Sequence, residues 1–241
     1  MNRQEAQTVY RIRVNPDVQE QFPDYAVLVV YASGLVNRGS TERSIELLRE
    51  AEARQRAAFG AEKAATHPHI AAWREAFGRF GAKPSRYPCS AEALLSRALK
   101  GQELPAINEV VDIYNSLSVR YVLPVGGEDR DALTSDLTLT FASGAEPFDE
   151  LSGGEAIVSF PEPGEAVWAD TSGVTCRRWN WRQGVRTRLT EETRNAYFVL
   201  DRLAPYPLET LRSAGDELVA LLRTSSPDAT FELELLGPSE A

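Results

Sequence analysis

The chain of 241 residues carries 26 Lys and Arg against 35 Asp and Glu, with two His, two Cys, 43% apolar residues and a formal charge of −9. This composition is ordinary for a globular protein and excludes a chain disordered throughout, while two cysteines exclude a disulfide framework and make a reducing compartment the default. No run reaches the ~18–20 continuous apolar residues of a membrane-spanning helix and residues 1–5 open no apolar signal segment, so a cytoplasmic location and no membrane partner are expected, and the acidic total taken alone argues against a nucleic-acid partner.

Residues 8–14 alternate apolar and polar, the period of a half-buried strand, and Asn15-Pro16-Asp17 follows as a turn. Residues 25–32 are a β-branched-rich run that predicts a buried strand ended by Ser33-Gly34. Residues 41–65, rich in Glu, Arg, Ala and Leu and free of Pro, predict a long helix capped by Ser40 or Thr41. His67-Pro68-His69 breaks it, and Ile70, Trp73 and Phe77 stand at helical spacing in a second helix over 70–80. A Pro- and Gly-containing loop covers 81–88, Ser90 is expected to cap a helix over 91–99, and a further helix is read over 106–121. Beyond Gly126-Gly127 come short β-like pieces at 137–141, 156–160, 166–169 and 173–176, predicted helices at 191–203 and 208–223, and an alternating strand at 230–236. This order predicts an α+β fold, a single domain with a mixed or antiparallel sheet and peripheral helices, rather than a doubly wound parallel sheet. Residues 1–65, 66–205 and 206–241 are read as its N-terminal strands and long helix, its core, and its C-terminal helix and strand.

Three segments are candidates for chemistry. The helix over 106–121 is apolar around most of its circumference, and through it runs a stripe of Asn108, Asp112 and Asn115 at i, i+4 and i+7, stacked on one face. A buried carboxylate flanked by amides needs partners. The stripe is either a solvated or capping face, or the polar wall of a pocket in which Asp112 holds a cation such as an α-amino group. In Pro124-x-Gly126-Gly127 the adjacent glycines allow close backbone approach and expose amides to an oxyanion, although a tight turn uses the same residues. Neither a P-loop nor a dinucleotide fingerprint is present. The block from Cys176 to Arg182 interleaves Arg, Trp and Asn. Continued as a strand, it places Arg177, Trp179 and Trp181 on one face and Arg178, Asn180 and Arg182 on the other. Such a block is either a face for phosphate or carboxylate or a Trp-anchored core strand edged by snorkelling arginines.

Charge is distributed unevenly. Six cations (Arg74, Arg79, Lys83, Arg86, Arg97, Lys100) face two acids over 74–102, and six more (Arg177, Arg178, Arg182, Arg186, Arg188, Arg194) face two over 177–194, while 201–241 is acidic. Two basic islands on an acidic body can track a phosphate backbone, where a single one reads as solvated surface. His67 and His69 with the separated Cys89 and Cys176 offer no zinc-ligand spacing. No Gly-x-Ser-x-Gly elbow occurs. Cys89 stands just before a helix, a position that favours a thiolate, yet without a placed His it reads as structural. No metal or cofactor is expected, and any chemistry is expected to proceed without a nucleophilic side chain.

Taken in order, His67-Pro68, Trp73-Arg74-Glu75-Ala76-Phe77, Phe80-Gly81-Ala82-Lys83-Pro84, Tyr87-Pro88, Glu92-Ala93-Leu94, Leu104-Pro105-x-Ile107-Asn108, Val111-Asp112-x-Tyr114-Asn115 and Pro124-x-Gly126-Gly127 resemble the B3/B4 domain. That is the editing module of the bacterial phenylalanyl-tRNA synthetase β subunit, also found in freestanding proteins. Residues 164–170 and the 177–182 block are similar to the freestanding branch, and the resemblance covers roughly residues 65–205. It implies a trans-editing deacylase that hydrolyses the ester between a wrong amino acid and the acceptor end of its tRNA. Such an ester is already activated, so an oriented water and a stabilised oxyanion suffice. Carried onto this chain, the resemblance implies Asp112, Asn108 and Asn115 as catalytic residues. It implies Gly126, Gly127, Tyr87, Arg177, Arg178, Asn180 and Arg182 as substrate-binding residues, and Arg74, Arg79, Lys83, Arg86, Arg186 and Arg188 as tRNA-binding ones. The synthetase form has Pro-x-His at the Gly-Gly segment and a glycine-rich run at the Arg-Trp-Asn-Trp-Arg block. These departures turn the expectation from tyrosine towards an arginine-like non-protein amino acid such as canavanine on arginine tRNA. A non-catalytic tRNA- or synthetase-binding module is the alternative, and a small-molecule-binding protein a third.

Overall fold

The computed structural model describes residues 10–238. Residues 8 and 9 of the first predicted strand, the opening residues 1–5 and the last three residues of the acidic tail lie outside them. The described chain forms, in order, β1 (Ile12–Val14), α1 (Pro16–Gln21), β2 (Ala26–Ser33), α2 (Glu42–Phe59), α3 (Pro68–Arg79), α4 (Ser90–Leu99), α5 (Glu109–Tyr121), β3 (Val125–Asp129), β4 (Leu137–Phe141), β5 (Phe148–Ser152), β6 (Glu155–Ser159), β7 (Ala166–Asp170), β8 (Gly173–Arg177), β9 (Arg182–Gln183), β10 (Asn195–Arg202), α6 (Leu208–Ser225) and β11 (Thr230–Leu236). The fold is α+β. A mixed sheet runs β1-β4-β7-β8-β5-β6, with β9 on β8, and an antiparallel sheet runs β11-β2-β10-β3.

The antiparallel sheet is covered on both faces, which explains why β2 reads as a continuous apolar run rather than an alternating one. Val27, Val29 and Tyr31, with Tyr197 and Val199 of β10, pack towards Leu137, Leu139 and Trp168 of the mixed sheet and Trp73 and Phe77 of α3. The alternate residues, Ala26, Leu28, Val30, Phe198 and Leu200, pack on Leu117 of α5 and on Leu211, Leu218 and Leu222 of α6.

Several sequence expectations are corrected. The segment 191–203 is no helix: Asn195–Arg202 is the strand β10, hydrogen-bonded to β2 on one side and β3 on the other. A short apolar run such as Tyr197-Phe198-Val199-Leu200 satisfies either period, and pairing on both edges decides for strand. Gly126 and Gly127 lie in β3 rather than in a loop. A Cβ at Gly127 would stand 2.6 Å from the Phe198 ring, so glycine is required where the two strands and Leu189 crowd. Asn15 caps α1 instead of merely turning, its Oδ1 accepting from Asp17 N at 2.9 Å. Cys89, not Ser90, is the N-cap of α4. β5 was not expected at all.

The helix α5 starts at Glu109, with Asn108 as its cap: Oδ1 accepts from Val111 N at 3.0 Å and Nδ2 donates to Leu189 O at 3.3 Å. Asp112 is fully buried, and both its oxygens are engaged: Oδ2 accepts from the Ser44 hydroxyl at 2.8 Å and Oδ1 from Ile107 N at 2.8 Å. Ser44 belongs to the capping box of α2, so this carboxylate ties the N-termini of α2 and α5 together. At the other end Gln55 of α2 donates to Val119 O and Arg120 O at 2.9 and 2.8 Å. The predicted polar wall is therefore partly a clamp, formed because amphipathic α2 and apolar α5 bury their facing polar groups against each other. Replacing Asp112 by Ala leaves the Ile107 amide without its acceptor, while the Ser44 hydroxyl keeps Thr41 O at 3.1 Å. The expected outcome is a loss of roughly 2 kcal/mol, read as a lower urea midpoint at unchanged slope.

Candidate functional site

Strand alternation puts Tyr197, Val199 and Asp201 of β10 on one face, and the register sets Gly126 opposite Val199 and Glu128 opposite Tyr197. Over this patch α4, α5 and the turn between β8 and β9 close a cavity of about 270 Å³. Its walls are apolar through Leu94, Val125, Trp168, Trp179, Trp181 and Val199, and Ser90, Asn115, Glu128, Asn180, Arg182, Gln183 and Asp201 bring polar groups to it. The size and the mixture of an aromatic wall with a few polar groups are those of a small-molecule site at the lower end of the usual range.

Two buried carboxyls stand in this cavity, and neither makes an ion pair among the described residues. Glu128 Oε2 and the buried hydroxyls of Thr175, Thr187 and Tyr197 form one polar cluster around the carboxyl, with no partner outside it among the described residues. These hydroxyls favour the charged form of Glu128, but burial is the larger effect and raises its carboxyl above the usual range. Four residues further along β10, about 13 Å at ~3.3 Å per residue, Asp201 accepts from Tyr25 Oη at 2.6 Å and from Asn180 Nδ2 at 3.1 Å. Burial pushes its carboxyl up to about 6.

The wall opposite β10 is made by the β8–β9 turn, and here the expected strand faces of 177–182 are corrected. After Arg177 the chain reverses through Arg178 at φ 46° and Trp179 at φ 64°. Two consecutive left-handed non-glycine residues are costly, and tertiary contacts hold them. Trp179 is fully buried, edge-on to Phe22, Tyr25 and Trp73 with centroids at 4.8, 4.8 and 5.2 Å. Glu165 accepts from Arg177 Nε and Nη2, each at 2.8 Å, and from Arg178 N at 3.1 Å. The turn consequently sends Asn180, Trp181 and Arg182 to the cavity and keeps Arg177 out of it.

Of the expected site residues the cavity gathers Asn115, Gly126, Gly127, Asn180 and Arg182, the last paired with Glu150 at 2.8 Å. Asp112 and Asn108 stand in the helix clamp instead. Tyr87 packs edge-on against Trp181 at 4.9 Å, next to the cavity. Among the expected tRNA contacts, Arg74 is paired with Glu92 at 2.6 Å, Arg79 donates to Gln21 O, and Arg186 forks onto Asp170 at 2.7 and 3.0 Å. Lys83, Arg86 and Arg188 are exposed and make no ion pair among the described residues.

Glu128 and Asp201 are the residues missed by sequence reasoning. A strand reading of 195–202 would have exposed the Tyr197, Val199, Asp201 alternation, and a strand reading of Gly-Gly-Glu would have put Glu128 beside it. The thiols are not nucleophiles at neutral pH. Burial pushes Cys89 up to about 12, against the thiolate-favouring helix start, and raises Cys176 well above the usual thiol range. His69 is also structural, with Nδ1 on Val122 O at 2.9 Å, Nε2 accepting from Trp73 Nε1 at 3.0 Å, and burial lowering its pKa to about 4. Among the described residues no group of His, Cys, Asp and Glu is arranged to hold a metal ion, and no helix is long and apolar enough to cross a membrane.

The sequence model of the B3/4 domain family matches residues 72–219. Among solved structures, an N-terminal fragment of the phenylalanyl-tRNA synthetase β-subunit from Pyrococcus horikoshii is similar at 13% identity, with a TM-score of 0.46. The match covers 93% of this chain and 50% of that one, so this chain spans about half the length of that fragment. No curated protein matches the sequence.

A carboxyl raised from 3.8 to about 6 binds its proton more tightly in the fold than in the unfolded chain. Its contribution to stability is full below pH 4 and is lost as the pH rises through 6. Urea unfolding across pH 4–7.5 is therefore expected to show a decline that Asp201→Asn removes, by roughly 3 kcal/mol over the range.

Proposed function

The chain belongs to the B3/4 domain family, and from that premise together with the chemistry of the cavity we propose that it is an aminoacyl-tRNA deacylase acting in trans. Its substrate is a tRNA mischarged with a cationic, arginine-like amino acid. The observation that carries this reading is the pair of buried carboxyls, Glu128 and Asp201, set along one strand face of a small aromatic-walled cavity without a cation between them. An arginine-like aminoacyl group bears two cations, the α-ammonium and the side-chain guanidino group. Each carboxylate takes one of them, while the Trp168, Trp179 and Trp181 rings border the flat side-chain group, a surface to which guanidinium planes are attracted.

The chemistry required is modest. Water adds to the ester carbonyl, the tetrahedral oxyanion collapses, and the ribose oxygen leaves with a proton. In this reading Asn115, Asn180 and Ser90 supply neutral hydrogen-bonding groups for the carbonyl, the water and the ribose hydroxyls. Substrate positioning then provides most of the acceleration. Asp112 has no part in it, because it stands outside the cavity, in the clamp between α2 and α5.

The experiment is a deacylation panel: tRNA charged with canavanine, arginine, tyrosine and alanine, each with the wild-type protein and with Glu128→Gln. Hydrolysis is expected for the cationic amino acids above the neutral ones, and Glu128→Gln is expected to lower kcat/KM on the cationic esters by about 10–100-fold, the loss of one charged hydrogen bond. Hydrolysis of tyrosyl-tRNA in preference to the cationic esters, or of none of the four, contradicts the reading.

A further inference from the structure

A free strand edge presents a row of unpaired N–H and C=O groups, which proteins guard with charge, shortness, bulges or a covering segment. Among the described residues the two sheets end in four edges: β1 and β6 in the mixed sheet, β11 and β3 in the antiparallel one. β1 has only three residues. β3 is covered by the chain at 187–188, through the bridge between Glu128 and Arg188 and the bond from Asp129 N to Thr187 O at 2.7 Å. β11 carries Glu232 and Glu234, and Arg11 pairs with them at 2.6 and 3.4 Å. β6 has none of these guards. Its sequence, Glu155-Ala156-Ile157-Val158-Ser159, holds one charge at its first residue and neither Pro nor Lys, and among the described strands it pairs with β5 alone.

The β5–β6 hairpin also carries four of the eight large apolar side chains exposed among the described residues: Leu151 at 47%, Ile157 at 40%, Val158 at 62% and Phe160 at 54%. The pairing of Leu151 with Ala156 and of Asp149 with Val158 puts Leu151, Ala156 and Val158 on one face, which Phe160 continues. Ile157, opposite Glu150, lies on the other. The strands are joined by Gly153-Gly154 at φ 61° and 88°, a two-residue turn whose flanking pair is hydrogen-bonded. Alternation then makes Glu150–Ile157 and Phe148–Ser159 hydrogen-bonded pairs as well. The N–H and C=O of Ala156 and Val158 consequently point away from β5, along an apolar edge.

We propose that β6 is a homodimer interface, in which two copies pair antiparallel about a twofold axis at Ile157. An identical strand fits this edge. Ala156 faces the partner's Val158, and Val158 the partner's Ala156, so every outward N–H and C=O of these residues is used. Glu155 faces the partner's Ser159, and no like charges are opposed. The same operation on β11, centred at Leu233, would set Glu232 against the partner's Glu234. Phe160 falls at the partner's Gly154, where even a Cβ would meet nothing within 4 Å, so the ring has room over the turn. Both copies use the same edge, and the contact closes as a dimer rather than growing into a fibre. A contact through one strand is small, below ~1,200 Å² in total, the range of weak and transient association.

Sedimentation velocity of the full chain from about 1 to about 200 µM tests it, and the wild type is expected to pass from monomer to dimer with a Kd on the order of 10–100 µM. Val158→Pro removes an outward donor while leaving the β5 side of the hairpin its bonds, and Val158→Lys sets a charge on the edge. Each is expected to raise the Kd at least tenfold at an unchanged urea midpoint. Should Val158→Pro fail to fold, Val158→Lys still decides the matter. Oxidation with copper phenanthroline reads the register. The Cα atoms of a non-hydrogen-bonded antiparallel pair stand about 4.5 Å apart, within disulfide reach, so Ile157→Cys is expected to cross-link. Glu155→Cys, roughly 13 Å from its own counterpart at ~3.3 Å per residue, is not. A chain that stays monomeric to about 200 µM overturns the proposal and leaves the edge to an extended segment of another protein. A dimer that neither Val158 variant weakens, or equal cross-linking of the two cysteine variants, overturns it in favour of another surface.

Discussion

The position of β10 between β2 and β3 is the constraint on which the cavity depends. Its register places Tyr197 opposite Glu128 on one side and opposite Tyr31 on the other. Because side chains alternate along a strand, that register fixes Val199 and Asp201 on the same face. A slip of β10 by one residue would turn Asp201 into the helical layer and bring Phe198 and Leu200 to the cavity. Gly127 enforces the register, since it is the residue that leaves room for the Phe198 ring where the strands meet. The polar lining of the cavity is thus a consequence of sheet pairing, with α4 and α5 as its lid.

A second constraint acts from the opposite wall. The β8–β9 turn adopts a backbone that non-glycine residues avoid, and Glu165 and the aromatic cluster around Trp179 hold it there. This couples the core to the site: the same turn buries Trp179 and presents Asn180, Trp181 and Arg182. It also explains how an acidic protein can carry a locally cationic surface. Most arginines of the two basic islands are paired with a carboxylate or bound to a carbonyl, and among the described residues Lys83, Arg86, Lys100 and Arg188 have neither. A net charge of −9 then limits non-specific binding without denying a nucleic-acid strand one local track.

Much of the architecture was legible from residue patterns. The β-branched run of β2, the Pro-free stretch of α2 with its Thr41 cap, and the alternation of β11 carry their own periods and caps. The B3/4 resemblance rested on short ordered motifs that the family match bears out. What could not be read was decided by partners distant in sequence. Tyr197-Phe198-Val199-Leu200 becomes a strand only because two neighbours pair with it. Gly126-Gly127 is a turn signal that a bulky Phe198 converts into a strand requirement. Asp112 looked like a site residue because buried polar groups in apolar helices often are, but Ser44 and Ile107 take up both its oxygens. Of the stripe only Asn115 lines the cavity, whose carboxyls come from Glu128 and Asp201.

The central claim is that two buried carboxylates make the cavity selective for an amino acid carrying a second cation. Calorimetric titration of the protein with arginine and with citrulline, its neutral isostere, at pH 7.5 tests it most directly. Arginine is expected to bind at least tenfold more tightly than citrulline. Equal binding of the two, or tighter binding of citrulline, would contradict it.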